Sequence, residues 1–156
     1  MSWMIDGLPL HPLLVHAAVV LLAANAITLL GCIALPRFRH WLGWGLPLLG
    51  VVTAAVTWLT KLAGENFLGE RSQLTQELAD HTHWGGWAGV VAVILGATTV
   101  VYWLTWSAGV QRRAPWAGHK VVRLVVTVVA ALVAVAALTV DFLAGHSGAT
   151  SVWGLG

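Results

Sequence analysis

The sequence predicts an all-α membrane protein whose four transmembrane helices form an up-down bundle with both termini extracytoplasmic. Three observations support this prediction. The 156 residues are 58% hydrophobic and only 9% charged, which is too little charge to cover a globule in water. Four long apolar runs each approach the ~20 residues that a helix needs to cross hydrocarbon. Basic residues cluster in the first and last connections between these runs, as they do in cytoplasmic loops.

The predicted helices fill almost the whole chain and leave room for a single domain over residues 1–156. Their approximate bounds are 12–35, 41–63, 83–107 and 120–145. No cleavable signal peptide is expected, because the start has no basic region and the first apolar run is longer than a signal core. With Cys32 as the only cysteine, the chain can neither form an internal disulfide nor attach a c-type haem.

Arginine and lysine set the predicted orientation in the membrane. The basic residues of the first and last connections are Arg37, Arg39, Arg112, Arg113, Lys120 and Arg123. We therefore expect these connections in the cytoplasm, and the termini and the connection around Glu70 outside. The net charge of +2 is then a signal of topology, so the expected partner is the lipid bilayer and not nucleic acid.

The first helix begins with two histidines. Pro12 is tolerated in its first turn, where the missing N–H would be unpaired in any case. His11 precedes this proline, and His16 lies about one turn deeper among Ala, Val and Leu. An imidazole at that depth needs a partner. Asn25, near mid-depth, is expected to bond a neighbouring helix, and Pro36 is expected to end this helix.

The second helix ends near Lys61 and Glu65. The ammonium group of Lys61 is expected to extend to the membrane–water interface, while its stem lies along apolar surface. The segment from Gly64 to Asp80 is the longest hydrophilic stretch of the chain. Apolar residues recur in it with a weak helical spacing at Phe67, Leu74 and Leu78. This spacing predicts a short surface helix that covers the helix ends like a lid.

The third helix begins at His81 and His83, and its glycines Gly85 and Gly89 form a G-x-x-x-G pattern. Small residues on one face allow another helix, or the flat edge of a macrocycle, to approach the backbone closely. The pattern therefore predicts either close packing against another helix or contact with a bound macrocycle.

The fourth helix carries a stripe of small residues, Ala130, Ala134 and Ala137, that leads to Asp141 on the same face. Asp141 is therefore expected to face protein, paired with Lys61 or with a histidine. The helix is expected to end at Leu143-Ala144-Gly145-His146, which echoes Leu62-Ala63-Gly64-Glu65 at the end of the second helix. This echo suggests two related hairpins.

Five histidines are expected on the extracytoplasmic side, namely His11, His16, His81, His83 and His146. His16 and His83 fall at similar depths on diagonal helices, so they are the favoured axial pair of a b-type haem, with His146 as the first substitute and His11 and His81 behind it. Alternatively, His16, His83 and His146 could hold a Zn, Cu or Fe ion directly, with Asp141, Lys61 and Glu65 around them. A site without a cofactor is the third possibility.

Three functions follow from these alternatives. The first is a small haem protein that passes electrons between a membrane quinone and an extracytoplasmic partner. The second is a metal-binding or transport-related protein, and the third is an accessory subunit of a respiratory or envelope complex. The sequence is also compatible with a homo-oligomer. No arrangement of nucleophile and base stands out, so an electron-transfer component is favoured over a stand-alone enzyme.

Both ends of the chain carry short motifs, namely His11-Pro12, Val15-His16, Gly145-His146 and Trp153. In these motifs the chain resembles a bacterial membrane family known as domain of unknown function 2231. The resemblance covers essentially the whole chain and implies a four-helix, histidine-bearing, b-cytochrome-like domain in the bacterial cytoplasmic membrane. Many members carry a further histidine after the aromatic residue, whereas this sequence continues as Gly154-Leu155-Gly156. Any role of that histidine is therefore expected to be absent here or to be taken by His81 or His83.

Overall fold

The computed structural model describes residues 4–5, 8–68 and 75–153, and within them the chain is almost entirely helical. The four long helices are α1 (Leu10–Ala34), α3 (Gly45–Leu68), α4 (Gln76–Trp106) and α6 (Lys120–Trp153). Shorter helices are α2 (Pro36–Leu42), α5 (Ala108–Arg113) and a 3₁₀ turn over Pro115–Gly118. Ahead of α1, the two-residue strands β1 (Met4–Ile5) and β2 (Leu8–Pro9) pair antiparallel.

Four helices among the described residues are long and apolar enough to cross a membrane. Their candidate spans are Leu10–Ala34, Gly45–Asn66, Gln76–Trp106 and Lys120–Thr150. The most apolar stretch of each span is only 17–44% buried inside the protein, so most of these Leu, Val and Ile side chains face outwards, where lipid is the solvent that suits them. Length and composition together indicate an integral membrane protein, and the predicted all-helical class is confirmed.

Consecutive long helices pack side by side, and α1 also packs against α6, whereas α1 and α4 make few contacts with each other. The core between them includes Leu22, Leu29, Leu46, Leu95 and Tyr102, all at most 1% exposed. The helices α3 and α4 come closest at Gly50 and Gly96, because a Cβ on Gly96 would lie 2.6 Å from the Gly50 carbonyl oxygen. Only glycine permits this approach.

The helices extend beyond the predicted bounds at the end of the molecule where α1 and α4 begin. The helix α4 already begins at Gln76, because the Thr75 hydroxyl caps it by accepting a hydrogen bond from the Leu78 N–H at 3.4 Å. Likewise, α3 continues past Gly64 and α6 past Gly145. The predicted lid helix is thus replaced by extensions of α3 and α4, which flank residues 69–74, outside the described part of the chain.

The buried positions repeat between the hairpin of α1 and α3 and the hairpin of α4 and α6. At a constant spacing of 70 residues, the buried set Ala18, Leu22, Asn25, Ala26, Leu29 and Cys32 corresponds to Ala88, Ala92, Leu95, Gly96, Thr99 and Tyr102. At a spacing of 84, the buried set Leu46, Gly50, Thr53, Thr57, Thr60 and Ala63 corresponds to Ala130, Ala134, Ala137, Asp141, Ala144 and Ser147. The two-hairpin interpretation therefore agrees with the packing, but its register is wrong by about one turn, since Gly64 corresponds to Gly148 and not to Gly145.

Candidate functional site

A cavity of about 490 Å³ opens between all four long helices, at the end where α1 and α4 begin and α3 and α6 end. Its volume lies within the range of ligand pockets in proteins. Most of its lining is apolar or glycine. Its polar lining side chains are His11, His16, Thr57, Thr60, Lys61, Glu65, His81, Thr82 and Asp141. This cavity is the candidate functional site.

His11 is held between α1 and α3. Its Nδ1 lies 2.9 Å from the carbonyl oxygen of Thr60, and its ring packs against Gly64, where an added Cβ would lie 2.9 Å from Nδ1 and 3.5 Å from Nε2. The ring edge that carries Nδ1 therefore faces α3. An imidazole that donates its Nδ1 proton to a carbonyl keeps Nε2 as the free, basic nitrogen.

His81 occupies the equivalent place between α4 and α6. Its ring packs against Gly148, where an added Cβ would lie 3.0 Å from Cε1, 3.2 Å from Nδ1 and 3.9 Å from Nε2. The main-chain carbonyl of Ala144 lies near the ring, but no hydrogen bond joins the two in the described chain. Thr60 and Gly64 correspond to Ala144 and Gly148 in the repeat, so the two rings pack against equivalent glycines. The hydrogen bonding differs, because the buried Nδ1 of His81 has no partner among the described residues, whereas Nδ1 of His11 bonds to the Thr60 carbonyl.

The other predicted ligands are placed differently. His16 lines the cavity, but its side chain is exposed and its Nδ1 lies 3.3 Å from the Pro12 carbonyl of its own helix. His83 is exposed and meets Trp84 edge-on at 5.3 Å, and His146 is exposed and stacks on Phe142 at 6.1 Å. Neither of these two lines the cavity.

Helix geometry explains why His81 and His83 separate. Residues two positions apart on an α-helix point about 200° apart around its axis. When His81 faces the cavity, His83 must face away from it. The structure therefore brings together His11, His16 and His81, and it places His83 and His146 outside the group.

Asp141 faces the interior, as predicted, and is only 9% exposed. The ammonium group of Lys61 instead pairs with Glu65 one turn further along α3, and its stem packs against Gly89. Among the described residues Asp141 has no hydrogen bond or ion pair, so neither Lys61 nor a histidine reaches it. Its counterpart in the repeat is Thr57, whose buried Oγ1 also lacks a partner within the described chain.

The described residues contain no group of three or more His, Cys, Asp or Glu side chains that could hold a metal ion. In particular, His16, His83 and His146 do not converge. Instead, the cavity is lined by two imidazoles, His11 and His81, which pack against equivalent glycines of the two hairpins. Sequence reasoning missed Thr60, Gly64 and Gly148, which position these two rings.

Comparisons with protein-family models, with curated proteins and with solved structures found no match for this chain. The resemblance to domain of unknown function 2231 therefore stays a prediction. What the cavity does has to follow from its own residues.

Proposed function

We propose that this chain is a small integral membrane b-type haem protein that transfers electrons, with the haem in the cavity between His11 and His81. The observation that supports the proposal is the matched placement of the two imidazoles, each of which packs against a glycine at an equivalent position of the two hairpins. Two neutral imidazoles on opposite sides of the iron are the usual ligands of b-type haem. This pair replaces His16 and His83, which depth alone had favoured.

The rest of the cavity suits a flat apolar macrocycle. Gly85, Gly86 and Gly145 line it, and a Cβ built on any of them would meet nothing within 4 Å. A haem bound there would supply a one-electron redox couple. The chain's own part is to orient the two rings, to keep water away and, through the Thr60 carbonyl, to make the His11 ring a more basic ligand.

The proposed orientation is an up-down bundle in the bacterial cytoplasmic membrane, with both termini and the cavity on the extracytoplasmic side. It is supported by Arg37, Arg39, Arg112, Arg113, Lys120 and Arg123, which all lie towards the other end of the helices. In this orientation the haem could exchange electrons with a quinone in the membrane and with a redox partner outside it.

The two alternatives have less support. A bare Zn, Cu or Fe ion would need more donors than two imidazoles, and the described residues do not converge in such a set. A purely accessory role in a larger complex would leave the paired histidines and the cavity unexplained.

A visible spectrum tests the proposal. The protein is purified in mild detergent from haem-replete cells, and spectra are recorded when it is oxidised and after reduction with dithionite. We expect a b-type α-band on reduction and about one haem per chain. A helical, folded protein without this band would overturn the proposal, and metal analysis of the same sample would then separate the bare-ion alternative from the accessory one.

A further inference from the structure

At the end of the molecule opposite the cavity, Arg39 of α2 is buried although it is charged. Only 9% of this residue is exposed. Its Nη1 donates to the Tyr102 hydroxyl at 3.0 Å and to the Cys32 carbonyl at 3.5 Å, and the Tyr102 hydroxyl donates to the same carbonyl at 3.0 Å. These neutral acceptors fix the guanidinium but leave its charge uncompensated, which is unusual for a buried arginine.

A second arginine shares the same surroundings. The guanidinium carbons of Arg39 and Arg123 lie 3.6 and 4.3 Å from the centre of the Trp106 ring. Arg123 is held in place by its Nε, which donates to the Thr105 carbonyl at 3.1 Å. The Trp106 indole attracts both guanidinium groups, but it neutralises neither of them. Two uncompensated positive charges therefore lie against the same ring.

Two donors in this cluster are also buried and unpaired. Neither Arg39 Nε nor Trp106 Nε1 has a hydrogen-bond partner in the part of the chain that the structure describes. Buried donors are rarely left without an acceptor, because burial removes the water that would otherwise bind them. The described acidic residues are too far away to neutralise the two arginines or to accept these hydrogen bonds. Glu65, Glu77, Asp80 and Asp141 all lie towards the other end of the helices.

We propose that the cluster of Arg39, Trp106 and Arg123 binds the phosphate of an anionic phospholipid headgroup. Phosphate oxygens accept hydrogen bonds from guanidinium and indole N–H groups, and they supply the missing negative charge. The cluster lies at one end of the transmembrane helices, where a headgroup lies, and basic pockets between such helices are known sites for anionic lipids. The exposed Arg37, Arg112, Arg113 and Lys120 add to the positive field around it.

Native mass spectrometry of the full chain in detergent tests this proposal, with phosphatidylglycerol titrated against phosphatidylcholine. We expect the protein to bind one phosphatidylglycerol preferentially. Trp106→Phe removes the Nε1 donor but keeps a ring under the guanidinium groups, so it should weaken that binding about tenfold, as Arg123→Gln should. Trp116→Phe and Arg112→Gln make the same chemical changes at exposed positions and should leave binding unchanged.

Equal binding of the two lipids, or preferential binding that survives both Trp106→Phe and Arg123→Gln, would overturn the proposal. A second arm adds inorganic phosphate at millimolar concentration, which we expect not to displace the lipid. Displacement by phosphate, with the same dependence on Trp106 and Arg123, would overturn the lipid assignment in favour of free phosphate. None of these outcomes depends on haem, so the headgroup site and the cavity are tested separately.

Discussion

For single residues, the direction of a side chain around its helix decides which histidines line the cavity. The sequence allows depth to be counted from the end of a helix, and by depth His16 and His83 match. It does not show which face of each helix turns inwards, because almost every residue that follows His16 and His83 is apolar or small. Packing decides the face, and it turns His11 and His81 towards α3 and α6.

The burial of Arg39, at the end of the molecule opposite the cavity, could not be predicted from the sequence either. Its place among basic residues after Pro36 predicts a solvated loop. In the structure Pro36 instead starts α2, a use of proline that is common in the first turn of a helix. The helix α2 places Arg39 beside the end of α4, where its Nη1 donates a hydrogen bond to the Tyr102 hydroxyl. A lone tyrosine at a core position of an apolar helix was the available signal that a polar partner lies nearby.

Asp141 and Lys61 should behave independently, because Lys61 pairs with Glu65 and not with Asp141. We expect Asp141→Asn to change the free energy of unfolding by less than about 1 kcal/mol, since it breaks no ion pair, whereas a broken buried pair costs about 3–5 kcal/mol. Lys61→Met should likewise cost only about 0.3–0.5 kcal/mol, as for an ion pair one helical turn apart, because the methionine keeps the apolar stem that packs against Gly89. Thermal unfolding of both variants checks this. A large and equal loss of stability in the two would show that the ion pair forms after all.

For the helices, the repeat explains why His11 and His81 pack against equivalent glycines. The echo Leu-Ala-Gly at the ends of the second and fourth predicted helices suggested a repeat, but it aligned Gly64 with Gly145. Burial aligns Gly64 with Gly148, because the packing contact and not the local sequence is what the two hairpins share. The spacing of 84 is hard to read from a sequence in which most helix positions are Ala, Val or Leu.

The two packing glycines should be needed for the site. A Cβ at Gly64 or Gly148 would lie 2.9 or 3.0 Å from the nearest imidazole atom, so the ring would have to move. We expect Gly64→Ala and Gly148→Ala each to lower haem affinity about 10- to 100-fold, which is typical for loss of ligand orientation. Haem titration of the apoprotein measures this. Gly109→Ala, where the nearest atom is 3.9 Å away, is the control, and equal affinities in all three variants would contradict the proposed role.

At the scale of the whole molecule, composition and four apolar runs were enough to predict an all-helical membrane protein. The helix ends could not be predicted, because the sequence signals for a stop at Gly64 and Gly145 are overridden by packing. The α3 and α6 helices continue as far as Leu68 and Trp153. This extension makes the walls of the cavity longer than the predicted bounds allow.

The proposed orientation has a direct test in intact cells. Single cysteines are introduced as Glu77→Cys and Arg112→Cys in a Cys32→Ala background, at positions that are both exposed in the structure. A membrane-impermeant thiol reagent should label position 77 and leave position 112 unlabelled until the membrane is permeabilised. Labelling of position 112 alone would invert the topology and place the cavity on the cytoplasmic side.

Replacement of the proposed ligands tests whether His11 and His81 hold one haem. The reduced-minus-oxidised spectrum is recorded for His11→Gly and His81→Gly, with and without free imidazole, beside His16→Gly, His83→Gly and His146→Gly. We expect the first two variants to lose most of the α-band and to regain part of it with imidazole, while the other three keep it. A full α-band in both His11→Gly and His81→Gly, or its loss in His16→Gly and His83→Gly instead, would rule out His11 and His81 as the haem ligands.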